Sequence, residues 1–486
     1  MSARSNDSRH GAGTRLGVAR LVVAVVAIAL AVAAAALAWR GTEPERRPSI
    51  VLVTVDTLRA DALGAYGFEG PVSPHIDALA RESIVFERAF AQAPWTKPSI
   101  ASLFTSLQPD THRVVTHRGL YGGAGHEGTD ALPADAVTLA EALRDAGYAT
   151  AAFVANPWLL PEHGFAQGFD VFDAEPVLGQ APGAAVILRR ARRWLEKRDP
   201  ERPFFLYLHF MDVHGPYDAP DADYEAVRES PGLPASRTLT AAEKALLRPY
   251  LTRVPWVSEP GGDDLRTWHA RYLAGVHELD RELGPFVDEL RASGALDQSI
   301  FVLTSDHGEE LLEHGNWDHG HALYDEQIRV PLVVRLPRGA GGGRRVEEVV
   351  SLIDVMPTLL AKASAAAPSA MQGRDLSPLL EGGKGDAAAA TFAGGVKWKP
   401  EMRSVRTATA KLIRDPSAGL TQAYDLAHDP GEKHDVSRAQ PQLVAELERT
   451  LDEHRRALAA RPALSPQKVE ISDETRERLE ALGYTQ

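Results

Sequence analysis

The chain has 486 residues, with 53 Lys+Arg against 66 Asp+Glu and a formal net charge of −13. That balance excludes a general nucleic-acid binder, which needs a basic face to neutralise phosphates. Hydrophobic residues at 44% and charged residues at 24% are those of a globular chain, and at about 100–200 residues per domain the length suits two or three domains, or one large one with an appendage. Cysteine is absent, which excludes disulfides, zinc–thiolate sites, iron–sulfur clusters and thiol nucleophiles.

Residues 1–20 form a polar tail carrying Arg4, Arg9, Arg15 and Arg20. The run Leu21 to Trp39 (LVVAVVAIALAVAAAALAW) has no charge and no polar stripe, and it approaches the roughly 20 apolar residues that span a hydrocarbon core. It reads as a transmembrane anchor with a cytoplasmic N-terminus, because Arg40, Arg46 and Arg47 beyond it are diluted by Glu43 and Glu45. A cleaved signal peptide is the alternative, given the small residues Ala34 to Ala38. In both readings the body after the linker 40–47 is extracytoplasmic, periplasmic or at the cell surface.

Ser49 to Val55 (SIVLVTV) is a continuous apolar run, the pattern of a strand buried on both faces of a parallel sheet. The same pattern recurs at Ala149 to Val154, Phe204 to Phe210, Ile300 to Thr304 and Pro331 to Arg335. Between these runs lie stretches of helical spacing, Thr138 to Asp145 and Tyr272 to Ala292. The alternation predicts an α/β fold with a mostly parallel central sheet flanked by helices over residues 48–365. Asp218 to Asp264 breaks the pattern, with one helix expected at Thr240 to Leu251, and reads as a substrate lid or an inert loop. Gly339 to Gly343 and Glu381 to Gly395 read as linkers, and residues 366–486 as a smaller C-terminal α+β subdomain closing on a helix at Leu443 to Leu458.

Four segments carry chemistry. Asp56 ends the first strand in VTVDTLRAD, and Thr96 lies in APWTKPSIASLFTS, before a helix whose first turn Pro98 can occupy. A hydroxyl there sits at a positive helix end that welcomes an anionic ester. Asp212 and His214 follow a strand in LHFMDVHGPY, and TSDHGEELLEHGNWDHGHALYDE supplies Asp306, His307, His314, Asp318, His319 and His321. Singly, each has an ordinary explanation: a threonine before a helix is usually an N-cap, and an acid after a strand a turn residue. Together they converge on the carboxyl edge of one sheet, where ligands bind in such folds. Their carboxylate, imidazole and hydroxyl donors suit a divalent ion, zinc or manganese before calcium or magnesium.

From about Pro48 onward the chain resembles the sulfatase family of the alkaline phosphatase superfamily. The matching segments are SIVLVTVDTLRADALGAYG, SPHIDALARES, APWTKPSIASLFTSLQPDTH, LRDAGYATAAFVAN, HFMDVHGPY, TSDHGE, HGHALYDEQIRVPLVVR, VSLIDVMPTLLA and YDLAHDPGEKHDV. The resemblance implies Asp56, Asp306 and His307 as metal ligands and Thr96 as a nucleophile that also touches the metal. It implies His214 and His319 at the substrate oxyanion or leaving group, with His321 the competitor of His319, and leaves Asp212 a supporting role at substrate or a second metal.

The departures are as informative. Where the family carries Cys or Ser in C/S-x-P-S-R, oxidised to formylglycine, this chain has Thr96-Lys97-Pro98-Ser99-Ile100. The arginine after the serine is missing, and Lys97 is its nearest substitute as a substrate cation. Asp56 is followed by Thr57, where a second acid is usual, and Asp306 by His307 rather than asparagine. The ligand set resembles that of threonine-dependent phosphodiesterases and phosphoethanolamine transferases. The sequence thus predicts a metal-dependent hydrolase of a small-molecule or envelope phosphate or sulfate ester. A phosphoryl-group transferase and an inactive binding protein displayed at the membrane are the alternatives.

Overall fold

A computed structural model describes residues 46–115, 129–174, 176, 181–248, 254–259, 261–386, 389–397, 399 and 401–481. The expected anchor at 21–39 lies outside these residues, and among the described residues no helix is long and apolar enough to cross a membrane.

The central sheet has eight strands: β1 (Ser49–Val55), β2 (Ile84–Phe90), β3 (Ala149–Val154), β4 (Val171–Asp173), β5 (Phe204–Phe210), β6 (Ser299–Ser305), β7 (Arg329–Arg335) and β8 (Arg345–Ser351). Their spatial order is β8-β2-β7-β6-β1-β5-β3-β4. Only β7 runs against its neighbours; the other pairings are parallel. All seven residues of β1 are buried. Val51, Val53 and Val55 enter one apolar cluster while Ile50 and Leu52 enter another, as the two-residue period of a strand between two helical layers requires.

The first layer holds α1 (Pro74–Arg81), α4 (Ala184–Lys197) and the long α5 (Leu265–Ala292). The second holds α2 (Thr96–Thr105), α3 (Leu139–Asp145) and α6 (Val355–Lys362). The α5 helix begins earlier than the apolar spacing indicates, because Asp264 caps it by accepting from the amides of Arg266 and Thr267. The helix expected at Thr240 to Leu251 is described over Ala241–Leu246, with a capping box between Thr240 and Glu243; residues 249–253 lie outside the description. The described insertion is anchored, since Val227, Leu233, Leu239 and Trp256 join the core under α5.

The C-terminal region forms a four-stranded antiparallel sheet, β9 (Thr391–Ala393), β10 (Arg403–Arg406), β11 (Ala410–Asp415) and β12 (Leu420–Asp425). Helix α7 (Pro441–Ala459) packs Leu447 and Leu451 on Val405 and Leu412. A further apolar cluster joins Ile413 and Tyr424 of this sheet to Phe90, Leu323, Ile328 and Val349. The C-terminal sheet therefore packs directly against the end of β2 and the loop that precedes β7.

Candidate active site

Strand register brings the acids together. Val55 on β1 lies opposite Ser305 on β6, so Asp56 and Asp306 leave the sheet side by side, both fully buried. On the other side of β1, Thr54 faces His209 of β5. The ligand atoms of Asp56, His209 and Asp306 all lie within 4.8 Å of one another.

Thr96 enters from α2 and is its first residue, with Trp95 at the cap position making no side-chain cap bond. Its hydroxyl does not cap the helix. It donates to Asp56 Oδ2 at 3.2 Å and lies 3.4 Å from His307 Nε2. Ser99, one turn on, donates to the carbonyl of Asp306 at 2.5 Å and so ties the start of α2 to the end of β6. The amide of Asn156, just past β3, donates to Asp56 Oδ2 at 2.6 Å and to the Thr96 hydroxyl at 3.3 Å. His307 Nδ1 sits 2.9 Å from the Gly308 carbonyl. With the proton on Nδ1, Nε2 presents a lone pair 3.3 Å from Asp56 Oδ1 and 3.4 Å from Asp306 Oδ2.

These donors fit a divalent cation. Asp56 Oδ1 and Asp306 Oδ2 are buried with no hydrogen-bond donor among the described residues, and two desolvated carboxylate oxygens facing one imidazole lone pair are costly unless a cation joins them. Burial, and next the charge of Asp56, push Asp306 up to about 7. Burial works in the same sense on Asp56 but is outweighed by the imidazoles of His307, His214 and His209 around it, which hold that carboxyl below its usual range.

His214 and His319 complete the site. The His319 ring lies 4.3 Å from that of His307 and 5.2 Å from that of His214, centroid to centroid. His319 Nδ1 is held by Glu309 at 3.0 Å and Asp318 at 2.8 Å, and Glu309 accepts from Tyr217 through its other oxygen at 3.0 Å. Burial lowers both His214 and His319. His321 is directed elsewhere: its Nε2 lies 2.8 Å from Glu310 and 2.9 Å from the Gln327 amide. Of the two histidines the sequence leaves in competition, the structure brings His319 to the cluster.

Two expected substrate contacts stand apart from these bonds. Asp212 accepts the Ala184 amide at 2.8 Å, capping α4, and burial raises it to about 6. The Lys97 ammonium donates to the Thr129 hydroxyl and lies 4.7 Å from the Trp158 ring centroid, and burial brings it down to about 7. Sequence reasoning passed over Asn156, His209 and Glu309. His209 is hidden in the apolar run FFLYLHF, although a histidine beside the last residues of a strand at this edge was a usable signal.

A family model described as Sulfatase matches residues 48–365, and one described as N-sulphoglucosamine sulphohydrolase, C-terminal, matches residues 312–457. The chain is 29% identical to the steryl-sulfatase of Mus musculus over 69% of its own length and 65% of that protein's, just under two thirds of the relative. It is 28% identical to the multifunctional alkaline phosphatase superfamily protein PehA of Trinickia caryophylli, over 70% of this chain and 78% of the relative. The phosphonate monoester hydrolase of Agrobacterium radiobacter superposes with a TM-score of 0.67 at 25% identity, over 88% of this chain and 99% of that one. With the family model covering most of the chain and its match including Asp56, Thr96, His214, Asp306, His307 and His319, this protein belongs to the sulfatase family, whose members are hydrolases acting on ester bonds.

Proposed function

We propose that this chain hydrolyses an anionic ester, a phosphoester in preference to a sulfate ester, through a covalent intermediate on Thr96. The observation that carries the reading is the placement of the Thr96 hydroxyl: it forgoes the cap and lies between Asp56 and His307 at the positive end of α2. Asp56, Asp306, His307 and Thr96 are the residues that would hold a divalent ion, zinc or manganese before calcium or magnesium, which when bound supplies charge neutralisation at the ester oxygens and acidifies a coordinated hydroxyl.

The residues of the chain divide the remaining work. Asn156 orients the Thr96 hydroxyl and Asp56 together. Thr96 Oγ1 gives up its proton along its hydrogen bond to Asp56 Oδ2 and attacks in line, a bond forming from it to phosphorus as the bond to the leaving oxygen breaks. His319 or His214 donates a proton to that oxygen. Glu309 and Asp318 hold His319 Nδ1, so a proton delivered by His319 comes from Nε2. Water then gives a proton to the same histidine and attacks the phosphothreonine; the bond from phosphorus to Oγ1 breaks, Oγ1 takes back its proton and the phosphate is released. The preference for phosphorus follows from the nucleophile: a formylglycine hydrate expels sulfate by collapsing to the aldehyde, and a threonine ester has no such exit. An envelope ester is the natural substrate if residues 21–39 anchor the chain with its body outside the cytoplasm.

Metal-analysed wild type, Thr96→Ala and Thr96→Ser are to be compared on aryl sulfate, aryl phosphate monoester and aryl phosphodiester. The expected result is phosphoester turnover that drops at least ~10³-fold in Thr96→Ala and survives in part in Thr96→Ser. Sulfate turnover that persists in Thr96→Ala refutes the mechanism.

A further inference from the structure

In the first turn of α2 the Lys97 ammonium is turned to the Thr129 hydroxyl and the Trp158 ring, and position 100, where the family carries arginine, is isoleucine. A different lysine reaches the site from the C-terminal region. The segment 394–397, just after β9, is stitched to the catalytic loops by three hydrogen bonds. The Gly394 amide donates to the Gln92 carbonyl at 2.9 Å, the Trp95 indole donates to the Gly395 carbonyl at 2.6 Å, and the Lys397 amide donates to the Gly320 carbonyl at 2.9 Å. The segment is thereby fixed against the residue before Thr96 and the residue after His319.

The side chain of Lys397 follows from this. Gly320 has φ +85°, and a Cβ there would lie 2.8 Å from Lys397 Cδ, so glycine provides both the left-handed turn and the room for the lysine stem. The half-buried ammonium lies 5.6 Å from the Trp95 ring centroid, a contact that favours a cation. Burial pushes the ammonium's pKa down, against the pull of the Asp318, Glu309 and Asp56 carboxyl groups. The Trp95 face and a stem packed on Gly320 hold a compact point charge in the field of Asp318 and Asp56, with three donors to offer.

We propose that Lys397 binds the non-bridging oxygens of the tetrahedral ester that Thr96 attacks, so that the C-terminal region supplies the cation missing from α2. The inference rests on the reading of Thr96 as the nucleophile toward an anionic ester. It adds that the recognition group for the anion lies outside the catalytic segments, just past the stretch the sequence marks as a linker.

The test uses full-length, metal-loaded protein with inorganic phosphate and inorganic sulfate as probes, their binding measured by calorimetry, alongside KM and kcat for the best aryl ester. The variants are Lys397→Met, Lys397→Arg and, as a control, Lys399→Met, whose ammonium pairs with Asp415 at 3.3 Å. Lys397→Met is expected to weaken anion binding and raise KM by about 10- to 100-fold, the worth of one charge-assisted hydrogen bond. Metal content and melting temperature stay unchanged, Lys397→Arg recovers most of the loss, and Lys399→Met matches wild type. Anion affinity within two-fold of wild type in Lys397→Met overturns the proposal, as does equal loss in the Met and Arg variants accompanied by lost metal or stability. Anion binding is read without turnover, so a failure of the Thr96 mechanism leaves this result independently legible.

Discussion

Replacing Asp306 with asparagine should make the metal-free protein more stable, although it removes a group central to the site. The ligand oxygens of Asp56 and Asp306 lie within 4.8 Å in a fully buried setting, and at that distance two unit charges repel by about 3 kcal/mol at an effective dielectric of about 20. Burial and this repulsion raise the Asp306 carboxyl to about 7. An acid with a raised pKa binds its proton more tightly in the folded state. Between the ordinary carboxylate range near pH 4 and pH ~7 the folded chain then carries a proton that the unfolded chain has lost, so stability falls as pH rises through this window and is flat above it. In chelator, wild type should lose several kcal/mol between pH 4.5 and 7.5, and Asp306→Asn should lose markedly less, ending about 1–3 kcal/mol more stable at pH 7.5. Saturating metal reverses the order, since ligand at a hundred times its Kd adds about 3 kcal/mol to a protein that binds it and little to one that does not. Urea unfolding with and without chelator across this pH range is the assay. Metal-free Asp306→Asn that is no more stable than wild type at pH 7.5 would refute the reasoning that the two acids face each other uncompensated.

Other substitutions separate the roles of neighbouring residues. Asn156→Ala removes the donor shared by Asp56 and Thr96 and the acceptor of the Trp158 amide, and should lower kcat/KM by about 10- to 100-fold and cost about 1–3 kcal/mol of stability; an unchanged rate would remove Asn156 from the site. His319→Asn should slow esters with poor leaving groups far more than nitrophenyl esters, whereas His321→Asn should leave that ratio alone and cost about 1–2 kcal/mol of stability through its bond to buried Glu310. Lys411→Met should cost about 3–5 kcal/mol by urea unfolding, because the fully buried ammonium is 2.8 Å from Asp325 and 2.7 Å from Glu432 and its loss leaves two buried carboxylates facing each other; adding Glu432→Gln should recover part of that loss.

The sheet interior was readable because strands buried on both faces need continuous apolar runs, and β1, β3, β5 and β6 all have them. The edges were not. In β2, IVFERAF interrupts its apolar residues with Glu87 and Arg88, and in β8, RVEEVVS does so with Glu347 and Glu348. Both lie toward the side of the sheet where solvent reaches part of the strand, so their patterns mix periods. At the site, Asp56, Asp306, His307 and His214 stood out by residue type after strands and Thr96 by its place before a helix, while their roles and the preference for His319 over His321 came from the resemblance to the family. Asn156 was legible only as part of a matching segment, because an amide after a strand is an ordinary turn residue until its partners are known. Lys397 was hidden by its place after a glycine- and alanine-rich stretch, where nothing in sequence indicates that the backbone turns back to bond Gln92, Trp95 and Gly320.

That return of the chain bears on how the site is built. The histidine loop preceding β7 is anchored by Leu311, Trp317, Leu323 and Ile328 in the apolar clusters, and the C-terminal region adds polar restraints to it. Glu432 accepts the Asp325 amide at 2.6 Å through its carboxylate, and its carbonyl lies 2.9 Å from His314 Nε2. Lys433 donates to the Glu313 carbonyl at 2.6 Å, and Arg406 pairs with Asp325 at 3.1 Å. His314 in turn stacks on Tyr324 at 3.7 Å between ring centroids. Polar bonds of this kind are individually weak, but they impose a geometry that an apolar contact would leave free. A loop that must present His307 and His319 within a fraction of an ångström gains more from such restraints than from further burial. The C-terminal region therefore does more than extend the fold: it ties down Glu313, His314 and Asp325 in the loop that carries His307 and His319.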